Sequence, residues 1–371
     1  MAKSTNPRIT FETNTLASAV SKAARVAPTK GAAFDKAAGL LIEVDPAAQH
    51  EVTIKSTDLE VTYMEWINAL TIEADKMTFR VPSALFTGIL SGLPIGSEVT
   101  LEITDTHILI LCGKKRAKVL RIDPRLSFLK WEPFDPDGLT TVDNFSALVA
   151  QVSWACATDS IPYTGVHMDG TYLWATDKYK LTRVPCAMEV DEPITAPLGI
   201  LRPIFKNLSD ARLAATSSKL LLMPDEFTQV TSVIFHEPYP DIAANLLKKL
   251  THNASFTIDR ERFRDAVNSM MVLCRADRYP RTVLTIGGSR VHVYMDVPDV
   301  GEMEDEIEVD GAEHDDHVVH FTPTYITTAL DASSTPEVTF AYDTKNSLSL
   351  GHISDGSDYN AWFTARRETD N

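Results

Sequence analysis

The same short pattern opens each third of this 371-residue chain. In each occurrence a brief strand-like segment ends in an acidic residue, Glu12, Asp143 or Asp259, and a helix-like segment follows. Apolar residues in these helix-like segments recur at i, i+3, i+4, i+7 and i+11, which forms one continuous stripe along a helix. The stripes contain Leu16, Ala19, Val20, Ala23 and Ala27; Phe145, Leu148, Val149, Val152 and Cys156; and Phe263, Ala266, Val267, Met270 and Cys274. Intervals of roughly 120 to 130 residues are domain-sized, so the pattern predicts three similar domains.

A second helix and a hairpin follow in the same order in each repeat. Pro82, Pro197 and Pro323 each precede a further apolar-periodic segment, and proline suits a first helical position because its missing N–H would be unpaired there. Strand–turn–strand patterns come next, with polar turns at residues 104–106, 216–218 and 343–346. The sequence therefore predicts an α+β fold of tandem domains, each with two helices and an antiparallel sheet. The predicted domains are residues 1–137, 138–255 and 256–371, and chance patterning in three unrelated segments is the alternative.

Composition restricts the environment of the protein. With 44% hydrophobic residues the chain can fill two or three cores, since a single core stops growing at about 250–300 residues. No apolar run approaches the roughly 20 residues of a membrane span, and residues 1–7 lack the apolar segment of a signal peptide. The four cysteines form no CxxC pair, which favours buried free thiols in a reducing cytoplasm. We therefore expect a cytoplasmic protein without membrane contact.

The charge is acidic overall but unevenly distributed. Lys and Arg total 35 against 51 Asp and Glu, a net charge of −16, which by itself argues against tight wrapping of nucleic acid. Acidic residues concentrate in residues 302–316, whereas basic residues collect beside the predicted helices. These basic residues include Lys22, Arg25, Lys30, Lys206 and Arg264. A basic helical face on an acidic body would attract phosphate locally, and an ordinary solvated helix face is the alternative.

The order of these elements resembles the β subunit of bacterial DNA polymerase III, the sliding-clamp family. The matching segments are residues 56–60 (STDLE), 175–181 (ATDKYKL), 239–241 (YPD) and 302–307 (EMEDEI). The resemblance covers nearly the whole chain and implies a head-to-tail homodimeric ring of six similar domains, with helices lining the hole and sheets forming the rim. It implies a processivity factor that encircles duplex DNA, has no enzymatic activity of its own, and tethers polymerase and clamp loader through short peptide motifs.

The resemblance also implies the residues of three surfaces. A modest basic lining would be enough for DNA, because a closed ring is retained by topology and phosphate attraction is independent of base sequence. The inner-face residues are Lys22, Arg25, Lys30, Lys206 and Arg264. The dimer contact would join Ala117 and Val119 of one copy to Val272 and Leu273 of the other. The cleft for partner peptides would be built by Tyr163, Thr176, Tyr179, Lys180, Leu181, Pro240, Leu246, Phe363 and Ala365.

The cleft departs from the family pattern at two places. Lys178, Tyr179 and Lys180 stand where the family usually has Gly-His-Arg, and residues 362–367 (WFTARR) replace a Met-Pro-Met type segment. An apolar wall has thus become small and basic, so we expect a preference for peptides with acidic residues beside an apolar anchor. Such divergence is typical of a clamp with its own polymerase, for example one encoded by a phage or a mobile element.

Two other functions remain open from the sequence alone. His314 and His317, with two aspartates between them, have the close spacing of a divalent-metal site for an enzyme, although an acidic solvated loop explains them more simply. A ring or shell component without DNA would use the same repeats. Asp58 and Asp177 occupy matching positions, and a repeated Thr-Asp near a strand end indicates a turn rather than paired catalytic acids. We expect no metal and no cofactor.

Overall fold

The structure is a computed structural model that describes residues 6–28, 39–122, 133–190, 192–199, 201, 210–275 and 279–367. By its internal contacts the chain divides into two compact units. Unit 1 consists of the described residues within Met1–Phe145, Met188–Glu192 and Ile200–Ile234, and unit 2 of those within Ser146–Ala187, Pro193–Gly199 and Phe235–Asn371. The boundary between the units passes through the middle third of the chain, and the three domain boundaries drawn from the repeat stay a prediction.

The helices and strands of the described residues follow in chain order. The α-helices are α1 (Thr13–Ala24), α2 (Ser83–Ser91), α3 (Phe145–Ser153), α4 (Ile242–Asn245), α5 (Arg260–Cys274) and α6 (Pro323–Ala332), with a 3₁₀ turn at Leu247–Lys249. The first strands are β1 (Arg8–Glu12), β2 (Leu40–Val44), β3 (Val52–Thr57), β4 (Val61–Ile67), β5 (Thr71–Glu73), β6 (Met77–Val81), β7 (Glu98–Ile103), β8 (His107–Cys112), β9 (Lys115–Leu120), β10 (Thr140–Val142), β11 (Gly165–Met168), β12 (Tyr172–Thr176) and β13 (Lys180–Pro185). The remaining strands are β14 (Ile194–Pro197), β15 (Ala211–Ala215), β16 (Lys219–Asp225), β17 (Thr228–Val233), β18 (Ala254–Asp259), β19 (Thr282–Gly287), β20 (Arg290–Val297), β21 (Gly301–Glu308), β22 (Asp310–Gly311), β23 (His317–Phe321), β24 (Glu337–Tyr342), β25 (Gly351–Asp355) and β26 (Asn360–Phe363).

Unit 1 is built from two antiparallel sheets and the helices α1 and α2. One sheet has the strand order β5-β1-β7-β8-β9 and the other the order β10-β15-β16-β17-β4-β3-β2-β6. β17 pairs with β4 from Thr228↔Glu65 to Ser232↔Val61, so strands from the first and middle thirds of the chain share one sheet. Helix α1 packs on α2, β3 and β4. Its apolar stripe is buried as predicted, through Leu16, Ala19, Val20 and Ala23.

Unit 2 has the same kind of architecture. Its nine-stranded sheet has the order β14-β11-β12-β13-β26-β25-β24-β18-β22, and its four-stranded sheet the order β21-β20-β19-β23. β13 pairs with β26, which again joins strands from neighbouring thirds of the chain. Helix α5 starts at Asp259, whose carboxylate accepts the Arg262 N–H at 2.8 Å, and it buries the predicted stripe Phe263, Ala266, Val267 and Met270. Antiparallel sheets with a few packed helices confirm the predicted α+β class.

The two Thr-Asp segments form the same turn in both units. Asp58 Oδ1 accepts the backbone N–H groups two and three residues further on, at 3.0 and 2.7 Å. Asp177 Oδ1 makes the two corresponding bonds, both at 2.9 Å. The third residue of each turn has positive φ, +83° at Leu59 and +82° at Lys178. Both aspartates therefore hold backbone amides, which confirms that the repeated Thr-Asp is a turn.

The last hairpin returns later than the sequence pattern predicts. Residues 348–350 are predicted to form the returning strand, but β25 begins at Gly351. Two consecutive turns delay it, because the Asp343 and Asn346 side chains accept backbone N–H groups two residues ahead, at 2.9 and 3.0 Å. The helix predicted after Pro197 falls mostly outside the described residues.

All four cysteines are free thiols, in agreement with the sequence analysis. Cys112, Cys156 and Cys186 are buried, and Cys274 is half-buried. Burial raises the pKa of the Cys186 thiol to about 12, so this group is protonated at neutral pH. The cysteines therefore act as small apolar residues of the cores.

Candidate functional site

Lys22 lies on the partly exposed side of α1 and is held by two carboxylates of unit 1. Its Nζ is 2.9 Å from Glu65 Oε1 and 4.0 Å from Asp225 Oδ2. Glu65 is buried, and its second oxygen accepts the Tyr63 hydroxyl at 2.7 Å. Burial, helped by the adjacent Glu65 carboxylate, raises the pKa of Tyr63, so the phenol stays protonated as the donor. Lys22 therefore compensates a buried charge, whatever it does at the surface.

The other predicted DNA contacts differ in how their charge is balanced. Arg25 is exposed at the C-terminal end of α1. Arg264 on α5 is paired through its Nε with Asp331, and its Nη1 lies 3.7 Å from Asp265. Lys30 and Lys206 lie outside the described residues. Lys22 and Arg264 each lie beside a carboxylate that balances their charge.

One end of the five-stranded sheet of unit 1 is strongly basic. β9 is the last strand in the described order, and its sequence is KRAKVL. Lys115, Arg116 and Lys118 are exposed, whereas Val119 is completely buried. Of the two residues predicted for the dimer contact on β9, only Ala117 is partly exposed. Val119 packs into the core beneath the strand. Its side chain has no solvent-accessible area that a partner could cover.

One end of the four-stranded sheet of unit 2 is strongly acidic. β21 is the end strand in the described order, its sequence is GEMEDEIE, and Glu302, Glu304, Glu306 and Glu308 are exposed. Arg262 of α5 donates two bonds of 2.6 Å to Asp305, which lowers the pKa of that carboxyl and ties the helix to the strand. Val272 on α5 is 68% exposed, and the half-buried Leu273 lies close to Gly301. The predicted apolar contact residues therefore sit beside the acidic edge.

Leu181 and Leu246, both predicted for the peptide cleft, meet in one apolar cluster of unit 2. Trp174, Leu181 and Trp362 form its floor, and each is at most 5% exposed. A segment that begins at the exposed Pro240 covers the floor through side chains that include Ile242, Leu246, Leu247 and Leu250. Neither tryptophan is among the residues predicted to build the cleft. Strand register is the signal that places them, because Trp362 lies directly opposite Leu181.

Phe363 and Ala365 do not join this cluster. Side chains alternate along a strand, and Trp362 rather than Phe363 lies opposite Leu181 in the pairing of β13 with β26. Phe363 is completely buried on the other face of the sheet, and Ala365 forms a bridge to Phe321. The predicted wall and the observed one differ by one residue of register, and a shift of one residue moves a side chain to the opposite face.

The loop at residues 178–180 presents the most exposed part of the predicted cleft. Tyr179 is 63% exposed, and Thr176 closes the turn by donating its hydroxyl to Lys180 O at 2.6 Å. Lys178 adopts the left-handed conformation at a position where the family usually has glycine, which costs roughly 1 kcal/mol. Its Nζ lies 4.8 Å from the centre of the Tyr163 ring, so the lysine places a cation on an aromatic wall of the cleft.

The segment around His314 and His317 is engaged within unit 2. The His314 ring nitrogens contact Asp315 O and the Tyr342 hydroxyl, and the His317 ring stacks on Tyr342 with ring centres 5.9 Å apart. Among the described residues, no three His, Cys, Asp or Glu side chains are placed to hold a metal ion. The described contacts are those of a loop packed on an aromatic ring.

The fold and sequence have clear relatives. Residues 8–124 match the family model for the DNA polymerase III beta subunit, N-terminal domain. A beta sliding clamp of Lactococcus lactis subsp. lactis is 22% identical over 273 residues, which span 69% of this chain and 71% of that protein. This chain is similar to DNA polymerase III beta subunits. The sliding clamp of Bacillus subtilis superposes with a TM-score of 0.85 at 16% identity, over 98% of this chain and 99% of that one.

A second solved relative is the Pseudomonas aeruginosa sliding clamp bound to griselimycin. It superposes with a TM-score of 0.84 at 16% identity, over 98% of this chain and all of that one. The sliding-clamp fold expected from the repeats is therefore confirmed across nearly the whole chain. In the part of the chain that the structure describes, none of the helices combines the length and the apolar character needed to cross a membrane.

Replacing Lys22 by methionine should destabilise this clamp relative, because the buried Glu65 carboxylate loses its cation. We expect the free energy of unfolding to fall by about 1–3 kcal/mol, measured by urea denaturation followed by circular dichroism. Adding Glu65→Gln should recover part of the loss, since a neutral amide oxygen still accepts the Tyr63 hydroxyl. A Lys22→Met protein as stable as the wild type would contradict the compensating role.

Proposed function

We propose that this protein is a DNA sliding clamp, a homodimeric ring that encircles duplex DNA and serves as a processivity factor. The observation that carries the proposal is the sliding-clamp fold, matched over 98% of the chain. A ring linked topologically to DNA must open before it leaves, so retention does not require tight phosphate contacts. Such a protein needs no catalytic residues, because it acts by raising the effective concentration of polymerase at the primer end. A role on DNA also agrees with the cytoplasmic location expected from the sequence.

The two charged edges support a head-to-tail dimer. β9 carries three cations and β21 five carboxylates, and both are end strands of described sheets. If β9 of one copy pairs with β21 of a second copy, both edges are covered, and the same contact formed twice closes a ring. Contacts between two β9 edges or two β21 edges would repel, so the charges select the head-to-tail arrangement. Val272, 68% exposed in one chain, would lose apolar area to the partner.

Two charge-reversed proteins should each fail to dimerise and should recover when mixed. One carries Lys115→Glu, Arg116→Glu and Lys118→Glu on β9, and the other carries Glu302→Lys, Glu304→Lys, Glu306→Lys and Glu308→Lys on β21. Alone, each presents like charges at both contacts, so we expect its dimer to weaken at least about tenfold. Mixed, they form a heterodimer in which both contacts are again complementary. Light scattering coupled to gel filtration measures all three states.

The matched control for these variants is Lys219→Glu. Lys219 is an exposed lysine on β16, which belongs to the other sheet of unit 1. This variant should dimerise as the wild type does. A wild-type protein that stays monomeric at micromolar concentration would count against the ring. Unaltered dimers in both charge-reversed proteins would place the contact elsewhere.

The charge arrangement supports weak, sequence-independent contact with DNA. The chain is acidic overall, and Lys22 and Arg264 each have a carboxylate partner that phosphate must replace. Arg25 is the exposed cation on α1 and is our strongest choice among the described residues for the inner face, with Lys30 and Lys206 retained as proposals. Exchange between a carboxylate and a phosphate costs little net energy, which suits a protein that must slide.

Retention on circular DNA tests the proposed function most simply. Protein is incubated with nicked circular plasmid at concentrations where rings exchange subunits, and free protein is then removed by gel filtration. We expect the clamp to stay with the circle and to be lost after a restriction enzyme linearises it, because only a closed path holds the ring. Arg25→Glu should lower the amount of clamp that loads onto the circle without altering the dimer. Equal retention on linear and circular DNA would exclude sliding, and no retention on either would favour a ring or shell without DNA.

The cleft of unit 2 supports short peptide partners, which we take to be segments of a polymerase and of a clamp loader. Griselimycin bound to the Pseudomonas aeruginosa clamp shows that a relative offers a ligand site. In this chain Tyr163 and Tyr179 provide aromatic walls, and Lys178, Arg366 and Arg367 make the rim positive. Leu181 lies in the covered floor and Leu246 in the segment above it, so access to Leu181 is limited to the edges of that segment.

Peptide preference follows from the positive rim. Two synthetic peptides that share a Leu-Phe anchor and differ only in flanking Glu or Gln should bind with different affinity, the Glu peptide more tightly and with greater salt sensitivity. Tyr179→Ala should weaken both peptides, as measured by fluorescence anisotropy. Glu60→Ala, at the same position of the matching turn in unit 1, is the control and should leave binding intact. Equal affinity for the two peptides would contradict the charge preference.

Leu181→Ala is unsuitable as a probe of the cleft, because Leu181 is 3% exposed and its replacement by alanine would open a cavity in the core.

A further inference from the structure

A pocket of about 460 Å³ opens in unit 2 next to the apolar cluster. Three rings, those of His167, Trp174 and Tyr239, form much of its wall. Two carboxylates, Asp169 and Asp241, also line it. The pocket lies beyond the residues that the family resemblance assigns to the peptide cleft, with which it shares only Pro240.

The pocket is held in shape by contacts among its own lining residues. The rings of His167 and Tyr239 stack with centres 4.3 Å apart and planes 3° from parallel. His167 Nδ1 is 3.0 Å from Thr195 Oγ1, and Trp174 Nε1–H donates to Asp169 Oδ2 at 2.7 Å. Three prolines in the wall fix the local backbone further and bring no N–H group. A ligand therefore meets a pre-formed site, which lowers the entropy cost of binding.

The charged groups that line the pocket are carboxylates, which accept hydrogen bonds. Burial lowers the pKa of His167 to about 4, so this ring is uncharged at neutral pH. Among the described residues that line the pocket there is no lysine and no arginine. Asp169 is fixed in place by two backbone N–H groups at 2.8 and 2.7 Å in addition to the indole. Two carboxylates beside aromatic faces favour a cation that carries an apolar stem.

The same sheet already holds one guanidinium in this way. Arg183 lies over the rings of Tyr172, Trp174 and Trp362, with distances to the ring centres of 4.5, 5.4 and 5.5 Å. Trp174 thus takes part in a guanidinium contact within the chain and also lines the pocket. Arginine suits such a place better than lysine, because its planar group stacks on rings and bonds a carboxylate with two N–H groups.

An aromatic row connects the pocket to the predicted cleft. The Tyr239 ring, stacked on His167 in the pocket wall, lies 6.0 Å from the Tyr163 ring, and Lys178 sits over the far end of the row at Tyr163. A peptide along this row meets a cation at one end and carboxylates at the other. We propose that the pocket binds the guanidinium group of an arginine in the partner peptide, several residues away from the acidic residue that the rim attracts. The role for a partner peptide rests on the proposed clamp function, whereas the guanidinium site itself does not.

The site can be tested without any peptide. Nα-acetyl-arginine methyl ester and its neutral isostere, the citrulline ester, are titrated against protein labelled with ¹⁵N at tryptophan, and the indole signals are followed by NMR. We expect the arginine ester to shift the Trp174 Nε1–H signal with a dissociation constant in the millimolar range, and the citrulline ester to bind at least fivefold more weakly. Trp174→Phe assigns the signal by removing it.

Variants of single carboxylates distinguish binding in the pocket from nonspecific attraction of a cation to an acidic protein. Asp241→Asn should weaken the arginine ester at least fivefold, whereas Asp358→Asn, an exposed aspartate elsewhere in unit 2, should leave its affinity within twofold. No shift of the Trp174 signal, or equal shifts with both esters, would overturn the site.

Peptides then test the partner role. A series of Leu-Phe peptides carries arginine at successive positions outside the anchor, and each peptide has a twin with citrulline in its place. At one distance from the anchor only, the arginine peptide should bind more tightly than its twin. Asp241→Asn should abolish that difference. Equal binding of the twins at every spacing would overturn the partner role even if the ester binds. Retention on circular DNA is unaffected by either result, so failure here is distinct from failure of the clamp function.

Discussion

Backbone pairing between strand edges is the interaction on which this structure depends. In unit 1, β17 closes on β4, and in unit 2, β26 closes on β13, so strands from neighbouring repeats form continuous sheets. An open edge presents unpaired N–H and C=O groups, and each of these pairings removes two such edges. In the proposed dimer the same requirement would act on β9 and β21, and their opposite charges would determine which edge of a second copy each accepts. The proposed ring would extend between copies the strand pairing that is already made within each unit.

Charge has separate tasks in different parts of the molecule. On the edges we propose that it selects a partner, and on α1 and α5 it is balanced by carboxylates, as in the pairs of Lys22 with Glu65 and of Arg264 with Asp331. In the proposed clamp a net charge of −16 is compatible with action on DNA, because topology would retain the ring and the local cations would need only a weak, exchangeable contact. Around the predicted cleft, cations and carboxylates lie at opposite ends of an aromatic row, which would give the proposed peptide a direction.

Local periodicity made much of the fold predictable. The apolar stripes of α1 and α5 and the turns at Asp58 and Asp177 follow from residues close in sequence, and the structure confirms them. Contacts that depend on strand register or on residues distant in the sequence were harder to predict. The sequence does not reveal that Trp362 rather than Phe363 faces Leu181, because one residue of register decides it. Nor does the sequence reveal that Lys22 forms an ion pair with Glu65, because Glu65 lies on a different element and is buried by tertiary packing.

The pairing of β9 with β21 between copies is the central claim, and zero-length carbodiimide cross-linking followed by mass spectrometry tests it most directly. This reagent joins a lysine to a carboxylate only where the two are in contact. Mixing ¹⁴N- and ¹⁵N-labelled protein distinguishes links between copies from links within one chain. The account predicts mixed-isotope peptides that join Lys115 or Lys118 to a carboxylate of residues 302–308. Cross-linked dimers that join other surfaces, with β9 and β21 absent from every mixed-isotope peptide, would contradict it.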